Sequence, residues 1–344
     1  MTKISLALFG IGRWGTHLLR NFLAHPQISV RAVVDPSEAR LAEIAGRFKL
    51  DSQVALLTDW QGALKAEGLE AVAIATPATT HEALITAALK ANLHVLAEKP
   101  LTLDHQSAAA LCQLAHQQQR QLVVDHTYLF HPAVAAGRAT LGKLATLRYG
   151  YATRTHLGPV RQDVDALWDL AIHDIAMFNH WLGEAPSQVQ AEGLIWQQTH
   201  PRPPRFPHGL ADTVWCRLRY PSGFQAHLHL GWANPDKQRR LCVVGDQGTL
   251  IFDEMNATRP LTLQIGHFEH TARQFTPQDM ATLALPVPPQ EPLRNLCNHF
   301  VECVQQNQIS AISSGATGTA LVQTLEALSE SLNQGGKWIT LISE

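Results

Sequence analysis

Three side chains in the sequence are suited to moving a proton. Lys99 lies in the segment Glu98-Lys99-Pro100, directly after a short apolar run, and Asp169 precedes His173 by four residues in a segment of helical periodicity. Side chains at this spacing share one helix face, so a carboxylate and an imidazole there can bind a vicinal diol and take its proton. A surface lysine before a turn and a solvated helix pair are the alternative interpretations, and the spacing alone leaves both open.

The pattern GxGxxG occurs near the N-terminus as Gly10-Ile11-Gly12-Arg13-Trp14-Gly15. It follows an apolar run and opens a segment of helical periodicity, which is the context in which this pattern binds the pyrophosphate of a dinucleotide. The first glycine permits a tight turn, the second lets the pyrophosphate approach the backbone, and the third lets helix and strand pack closely. We therefore predict that these six residues bind a dinucleotide cofactor at the start of a helix.

The next apolar run ends in Asp35, 20 residues after Gly15. A carboxylate at this position accepts hydrogen bonds from the adenosine ribose and repels a 2′-phosphate. Pro36 and Ser37 follow, and no arginine stands beside the acid in the sequence. We therefore expect NAD as the cofactor, with NADP less favoured. The alternative is an aspartate that only stabilises a turn.

The first third of the chain contains the strands that would position these residues. Short runs rich in Val, Ile, Leu and Ala alternate there with helix-like sequence, at 3–9, 28–35, 71–75, 93–97 and 121–125. Near-continuous apolar strands of this kind are typical of a parallel sheet covered by helices on both faces. Ligands bind at the carboxyl ends of such strands, where Thr76, Pro77, Glu98 and Lys99 fall. The pattern predicts an α/β fold with a doubly wound Rossmann domain over 1–124.

The pattern changes after residue 124. Strand-like stretches then follow one another through turns, which predicts an α+β domain over 125–344 with a large, mostly antiparallel open sheet. Apolar residues on one face of that sheet predict a homodimer or homotetramer. The proline-rich segment 201–207 predicts a loop. The expected strands are 144–153, 186–196, 211–220, 223–232, 239–244 and 248–252, and the expected helices are 165–182, 290–306 and 316–333.

Composition excludes several classes of function. The chain has 27 Lys and Arg against 29 Asp and Glu, a formal net charge of −2, and no long block of one sign, which argues against a nucleic-acid partner. Its five cysteines are scattered without metal-ligand spacing, so we expect reduced thiols and no metal. No apolar run approaches the roughly 20 residues of a membrane helix, and the N-terminus lacks a signal-peptide pattern. We expect a cytoplasmic protein that acts on a small molecule.

Taken together, the ordered motifs resemble the Gfo/Idh/MocA family, which includes glucose-fructose oxidoreductase, inositol dehydrogenase and MocA. The resemblance covers nearly the whole chain, and its ordered set is highly specific. It rests on GIGRWG at 10–15, Asp35, ATPATTHEAL at 75–84, AEKPL at 97–101, VDHTYLFHPAV at 124–134 and DLAIHDI at 169–175.

The resemblance implies an NAD(P)-dependent dehydrogenase that transfers a hydride between the nicotinamide and a secondary hydroxyl of a sugar, nucleotide-sugar or cyclitol. Lys99 matches the active-site lysine of the family, whose peptide bond to the following proline is often cis. Asp169 and His173 match its Asp-xxx-His helix, which implies substrate binding and acid–base work. Whether Lys99 or His173 is the base stays open. His81 and His126 match positions near the cofactor.

The segment LGPVRQDVDALWDLAIHD, residues 157–174, looks closest to family members that oxidise nucleotide-linked or amino sugars at the 3-hydroxyl. Arg154 and Arg161 are candidates to meet a substrate phosphate or carboxylate, because a guanidinium offers paired donors to such groups. Surface charges are an equal alternative for both. Trp168, inside the same segment, is a further candidate for substrate contact.

Two other functions fit parts of the sequence. A glycoside-cleaving family member would keep its NAD bound and oxidise, eliminate and reduce again without net NADH. A non-catalytic scaffold would only sense a dinucleotide. Such a sensor needs no proton-transfer groups, so the presence of Lys99, Asp169 and His173 favours an enzyme.

Overall fold

The computed structural model describes residues 3–198 and 206–341, so the loop predicted at 201–207 lies mostly outside the described residues. The described part forms two compact units. Among its helices, none is long and apolar enough to cross a membrane. The first unit consists of Met1–Phe130 with Gln290–Val322, and the second of His131–Pro289 with Gln323–Glu344.

The domain boundary was predicted at residue 124. In the structure, the first stretch of the first unit ends at Phe130. The segment Gln290–Val322, which the sequence analysis assigned to the second domain, belongs to the first unit. The assignment of NAD binding to 1–124 and of substrate binding to 125–344 stays a prediction.

The helices expected at 290–306 and 316–333 are present, with bounds close to the expected ones. Side-chain caps start several of them: Asp104 accepts from the backbone N–H of Ser107, and Asp59 accepts from those of Gln61 and Gly62. In chain order they are α1 (Arg13–Ala24), α2 (Glu38–Phe48), α3 (Trp60–Leu64), α4 (His81–Lys90), α5 (His105–Gln117), α6 (Pro132–Thr140), α7 (Ile172–Leu182), α8 (Pro292–Gln306) and α9 (Gly315–Asn333).

A parallel sheet organises the first unit and confirms the predicted Rossmann fold. Its described strands are β1 (Ile4–Phe9), β2 (Ile28–Val34), β3 (Ala55–Leu57), β4 (Ala71–Ile74), β5 (His94–Glu98) and β6 (Leu122–Asp125). They are ordered β3-β2-β1-β4-β5-β6, so the order reverses beside β1, where ligands of such sheets bind. Every residue of β1, β4, β5 and β6 is buried, as their apolar sequences predict. Strand β3 was not predicted, because its three largely exposed residues give no apolar pattern in the sequence.

The second unit contains a mixed sheet in which β7 and β10 are parallel and the other neighbours are antiparallel, which confirms the mostly antiparallel prediction. Its order within the described residues is β14-β13-β12-β11-β7-β10-β9-β8-β15. Three strands were not predicted: β13, in which buried, half-buried and exposed residues are mixed, β14, which is mostly exposed, and β15, which has two residues. The strands are β7 (Leu147–Leu157), β8 (Gln188–Leu194), β9 (Thr213–Arg219), β10 (Gln225–Gly231), β11 (Ala233–Gly245), β12 (Gly248–Asp253), β13 (Leu261–His270), β14 (Phe275–Ala284) and β15 (Ile339–Thr340).

The single α-helix predicted over 165–182 is not uniform. A π-helical turn at Leu167–Ala171 precedes α7, so Asp169 lies in the π turn and His173 in the first turn of the α-helix. The regular α-helix expected over 165–182 is therefore replaced by a π turn at Leu167–Ala171. Residues four apart stay neighbours in either kind of turn, so the shared face of Asp169 and His173 stays a prediction. Turns of the π type often occur at functional sites.

A buried ion pair joins β7 to α7 in the second unit. Arg154 donates from Nε and Nη2 to the two carboxylate oxygens of Asp174, at 3.0 and 2.8 Å. The two side chains are 3% and 1% exposed. Arg154 was a candidate for substrate contact, and its buried guanidinium binds Asp174, so contact with a substrate stays a prediction.

We expect Asp174→Ala to lower the free energy of unfolding by about 3–5 kcal/mol, because it leaves the Arg154 guanidinium buried without its carboxylate partner. Asp246→Ala is the matched control, since Arg148 donates to Asp246 through the same two nitrogens but at the surface. That change should have little effect. Urea denaturation of both variants measures the difference, and equal effects would show that the buried pair does not hold α7.

Candidate active site

The first and third glycines of the GxGxxG segment make close backbone contacts in the first unit. Gly10 has φ +84°, and a Cβ on it would lie 2.7 Å from the carbonyl oxygen of Ala75. A Cβ on Gly15 would lie 1.9 Å from the carbonyl oxygen of Gly10. These two positions therefore require glycine, for the turn and for the packing of α1 against the sheet.

The second glycine, Gly12, is different because nothing lies within 4 Å of where its Cβ would be. It is the N-cap of α1 and supplies no side chain to the N–H groups of the first turn, which contains no acidic residue. The start of this helix therefore offers donors, partial positive charge and room for a pyrophosphate. Arg13 and Trp14 are exposed beside it, whereas Ile11 is 3% exposed and packs in the core.

Asp35 ties the end of β2 to the glycine segment. Its Oδ2 accepts from the backbone N–H of Ile11 at 3.1 Å, and its Oδ1 accepts from that of Ser37 at 3.0 Å. Arg40, in the first turn of α2, has Nη1 3.5 Å from the same Oδ1. The expectation that no arginine stands beside this acid was therefore wrong in space, because the turn after β2 folds a residue five positions away back onto the carboxylate.

His81 links two loops at the carboxyl ends of β4 and β5. Its ring is fully buried, with Nε2 3.0 Å from the carbonyl oxygen of Thr76 and Nδ1 2.9 Å from that of Pro100. Pro77 follows Thr76, and Thr76 Oγ1 lies 2.7 Å from Thr80 Oγ1. The Lys99-Pro100 peptide is cis, as the resemblance implies. His81 thus holds the loop of Thr76 to the loop of Lys99.

Polar side chains gather where β5 and β6 end. Glu98 and Asp125 are register partners, Lys99 is half-buried, and His126 is 1% exposed. Burial, together with the nearby Lys99 charge, lowers the pKa of His126 to about 3, so its ring is neutral. Neither ring nitrogen has a hydrogen-bond partner among the described residues. These are the properties expected of a group that binds a polar ligand.

Asp125 is a residue that the sequence analysis missed. The signal was present, because an acid ends the last apolar run just as Asp35 ends the second. The predicted strand 121–125 and β6 both include Asp125, but the domain boundary predicted at 124 assigned it to the second domain. Which strand lies beside β6 is decided by the sheet order, and the sequence carries no direct record of that order.

The second unit holds Asp169 with a network of charges. Arg161 donates from Nη1 to Asp169 Oδ1 at 3.2 Å and from Nε and Nη2 to Asp163. Burial alone would raise the pKa of Asp163, but its hydrogen bonds to Arg161 outweigh burial and lower that pKa. Asp169 is 19% exposed and His173 is half-buried. A positioned carboxylate and an accessible imidazole can bind a hydroxyl and accept its proton.

Two neighbours of this network complete the picture in the second unit. His156 of β7, which was assigned no role from the sequence, is half-buried. Burial lowers its pKa, and the charge of Asp169 opposes that effect. Asp165 Oδ1 accepts from the backbone N–H of Trp168, and burial raises the pKa of Asp165 to about 7. The Trp168 indole is fully buried and donates to Ser329 Oγ at 2.8 Å. Trp168 is therefore buried in the core of the second unit, and its contact with a substrate stays a prediction.

We expect Gly12→Ala to weaken NAD binding at least about tenfold, a loss of about 1.4 kcal/mol, because the added methyl group occupies the space that the pyrophosphate needs. The free energy of unfolding should not fall, since the Cβ meets no atom within 4 Å and φ is −64°. Gly46→Ala in α2 is the control, because its Cβ also lies in open space. Calorimetric titration with NAD separates the two, and unchanged affinity in Gly12→Ala would contradict this site.

Comparisons with known proteins agree with this geometry. Residues 4–126 match the oxidoreductase family with an NAD-binding Rossmann fold, and residues 136–251 match the GFO/IDH/MocA C-terminal domain. UDP-N-acetylglucosamine 3-dehydrogenase of Acidithiobacillus ferrooxidans is 31% identical over 56% of this chain and 59% of its own length. This alignment therefore spans less than two thirds of that relative.

Solved structures are similar over almost the whole chain. An oxidoreductase from Magnetospirillum magnetotacticum is 29% identical, with a TM-score of 0.79 over 95% of this chain and all of that one. An inositol dehydrogenase homologue from Azotobacter vinelandii, solved with NAD+, is 19% identical, with a TM-score of 0.81 over 99% and 98% of the two chains, and shows the shared fold. The glycine segment, the strand-end residues and both domain matches agree: the chain belongs to the GFO/IDH/MocA family of oxidoreductases with an NAD-binding Rossmann fold.

Proposed function

We propose that this protein is an NAD-dependent dehydrogenase that acts on a secondary hydroxyl of a sugar, nucleotide-sugar or cyclitol. The observation that carries the proposal is the open, uncapped start of α1 beside Asp35, at the sheet edge that also bears Lys99. A dinucleotide site supplies the cofactor, and a strand-end amine supplies a group for proton transfer. The names of the relatives, a nucleotide-sugar dehydrogenase and an inositol dehydrogenase homologue, agree with it.

The residues have separate roles in this proposal. The N–H groups at the start of α1 bind the pyrophosphate and Asp35 binds the adenosine ribose, while NAD, when bound, supplies the hydride acceptor. Thr76, Pro77, His81, Glu98 and His126 form the remaining cofactor surface. Lys99 or His173 takes the hydroxyl proton, and Asp169, oriented by Arg161, binds the neighbouring hydroxyl.

Within this range we propose a nucleotide-linked sugar as the preferred substrate. The 31% identity to a UDP-N-acetylglucosamine dehydrogenase supports this class. Arg161 remains the candidate for a phosphate contact, although its described hydrogen bonds go to Asp163 and Asp169. A substrate phosphate would have to compete with these carboxylates for its donors.

A substrate panel with NAD tests the function. UDP-N-acetylglucosamine, free N-acetylglucosamine, glucose and myo-inositol are offered, with NADH absorbance and product mass as readouts. NADH formed with the nucleotide-sugar supports the proposal, and a preference for neutral inositol or glucose overturns the nucleotide-sugar part. Product without net NADH identifies a cofactor-retaining glycoside hydrolase. No product with any sugar, together with tight NAD binding, supports the sensing scaffold.

We also propose that the protein is a cytoplasmic homodimer or homotetramer that associates through the sheet of its second unit. Large aromatic side chains on that sheet, Tyr149, Tyr151 and Trp215, are 39–46% exposed. Such exposure in a sheet fits a surface that another subunit covers. The five free cysteines fit a reducing compartment. A monomer in sedimentation at micromolar concentration would contradict the oligomer.

We expect Lys99→Ala to lower kcat by at least about 100-fold, because positioned acid–base groups contribute about 10²–10⁴-fold. NAD affinity should change little. Lys90→Ala, an exposed lysine of α4, is the matched control and should behave as the wild type. Stopped-flow turnover measures kcat, and calorimetric titration measures NAD affinity. The pH profile of kcat is measured for Lys99→Ala and for His173→Asn, and the variant with the flatter profile lacks the base. Full activity in Lys99→Ala would exclude its catalytic role.

We expect NAD to bind at least about tenfold more tightly than NADP, because Asp35 repels a 2′-phosphate. Asp35→Asn keeps the shape of the side chain and should narrow that ratio. Arg40→Ala should weaken NADP binding without affecting NAD, since Arg40 is the cation beside this carboxylate. Equal affinity of the wild type for the two cofactors would contradict the preference.

A further inference from the structure

Two carboxyl groups meet in the interior of the first unit. Glu98 ends β5 and Asp125 ends β6, and the parallel register pairs them directly. Neighbouring strands lie about 4.8 Å apart and register partners point to the same face, so these side chains are in contact range. They are 8% and 1% exposed. Within the described residues, Glu98 Oε1 and Asp125 Oδ2 are buried and accept no hydrogen bond.

Two adjacent buried carboxylates cannot both be ionised at low cost. Burial, and then the charge of Asp125, raises the pKa of Glu98 well above its usual range. Burial also raises the pKa of Asp125, but the hydrogen bond from Thr127 opposes that effect, and so does the hydrogen bond that a protonated Glu98 donates to it. The proton therefore resides on Glu98, which donates a hydrogen bond to Asp125. The Oδ1 atom of Asp125 accepts a hydrogen bond from the hydroxyl of Thr127. One proton between Oε1 and Oδ2 gives both unpaired atoms a partner.

The other titratable groups that face the pair are Lys99, His126 and Cys297. His126 is neutral, with a pKa of about 3. Cys297 comes from α8, and burial together with the charge of Asp125 raises its pKa well above the usual range, so it is a neutral thiol. The charge of Lys99 opposes the rise in the pKa values of Glu98 and Asp125 and adds to the fall in the pKa of His126 that burial causes. The negative charge of the pair therefore acts chiefly on the Lys99 amine.

We propose that Glu98 and Asp125 form a carboxyl pair that shares one proton, and that its single negative charge holds the Lys99 amine for acid–base work. Asp125 is thereby a positioning residue. The first half of this proposal stands on the geometry of the pair, and the second rests on the proposed function. NAD, when bound, would supply the acceptor for the hydride of the substrate carbon, and Lys99 Nζ would accept the proton of the hydroxyl group. The pair then stabilises the ammonium ion that forms.

Infrared spectroscopy tests the shared proton without any need for activity. A protonated carboxyl group has a carbonyl stretch that an ionised one lacks, so the wild type minus Glu98→Gln should show that band between pH 6 and 9. Asp125→Asn should lose it as well, because the amide donates to Glu98, which then ionises. Asp165→Asn is the control, since Asp165 has a pKa of about 7 and gives a separate band that titrates there. Absence of the band from the difference spectrum over this range overturns the pair.

A double-mutant cycle tests the action on Lys99. Glu98→Gln and Asp125→Asn each leave one carboxylate beside the amine, whereas the double variant leaves none and keeps the same shapes. The double variant should lose at least about tenfold more kcat/KM than the product of the single losses, since coupled residues are not additive. Its pH profile should also shift, which a packing role would not cause. Additive losses of kcat/KM with an unchanged pH profile overturn the action on Lys99. Inactivity of the wild type towards every sugar overturns the proposed function, whereas the infrared result on the shared proton still stands.

Discussion

The close approach of Gly15 to the carbonyl oxygen of Gly10 is the contact on which the cofactor end of the first unit depends. No other residue fits at Gly15, because a Cβ there would lie 1.9 Å from that oxygen. The contact sets the direction in which α1 leaves the sheet. Asp35 then binds the backbone N–H of Ile11, so β2 is held to the same turn. The open space at Gly12 exists because its neighbours on both sides are fixed in this way.

Buried acids are the second constraint, and the chain resolves each one differently. Asp174 is paired with a guanidinium, which forms two hydrogen bonds to it. Asp165 accepts backbone N–H groups at a helix start, yet burial outweighs these hydrogen bonds and raises its pKa to about 7. Glu98 and Asp125 lie together, so sharing a proton is the arrangement with the lowest cost. Both units thus contain buried acids that stability alone would not favour. In the pair of Glu98 and Asp125, Glu98 lies next to Lys99 in the chain.

Much of the fold follows from local sequence. Continuous apolar runs predict buried parallel strands, and glycine spacing predicts the turn at Gly10, because both depend on neighbours a few residues away. Two of the missed strands, Ala55–Leu57 and Phe275–Ala284, are short or exposed, so burial leaves no periodic pattern in their sequences. The π turn at Leu167–Ala171 was also missed, since an apolar stripe at helical spacing does not distinguish an α turn from a π turn.

The sequence by itself determined the Rossmann domain, the glycine segment and the candidate acid–base residues, because each has a local signature. The tertiary structure alone decided which charges meet. It placed Arg40 beside Asp35 and buried Arg154 against the carboxylate of Asp174. The order of strands in the sheet placed Glu98 opposite Asp125. These contacts join residues brought together only when strands pair and helices pack, and periodicity along the chain carries no information about such long-range partners.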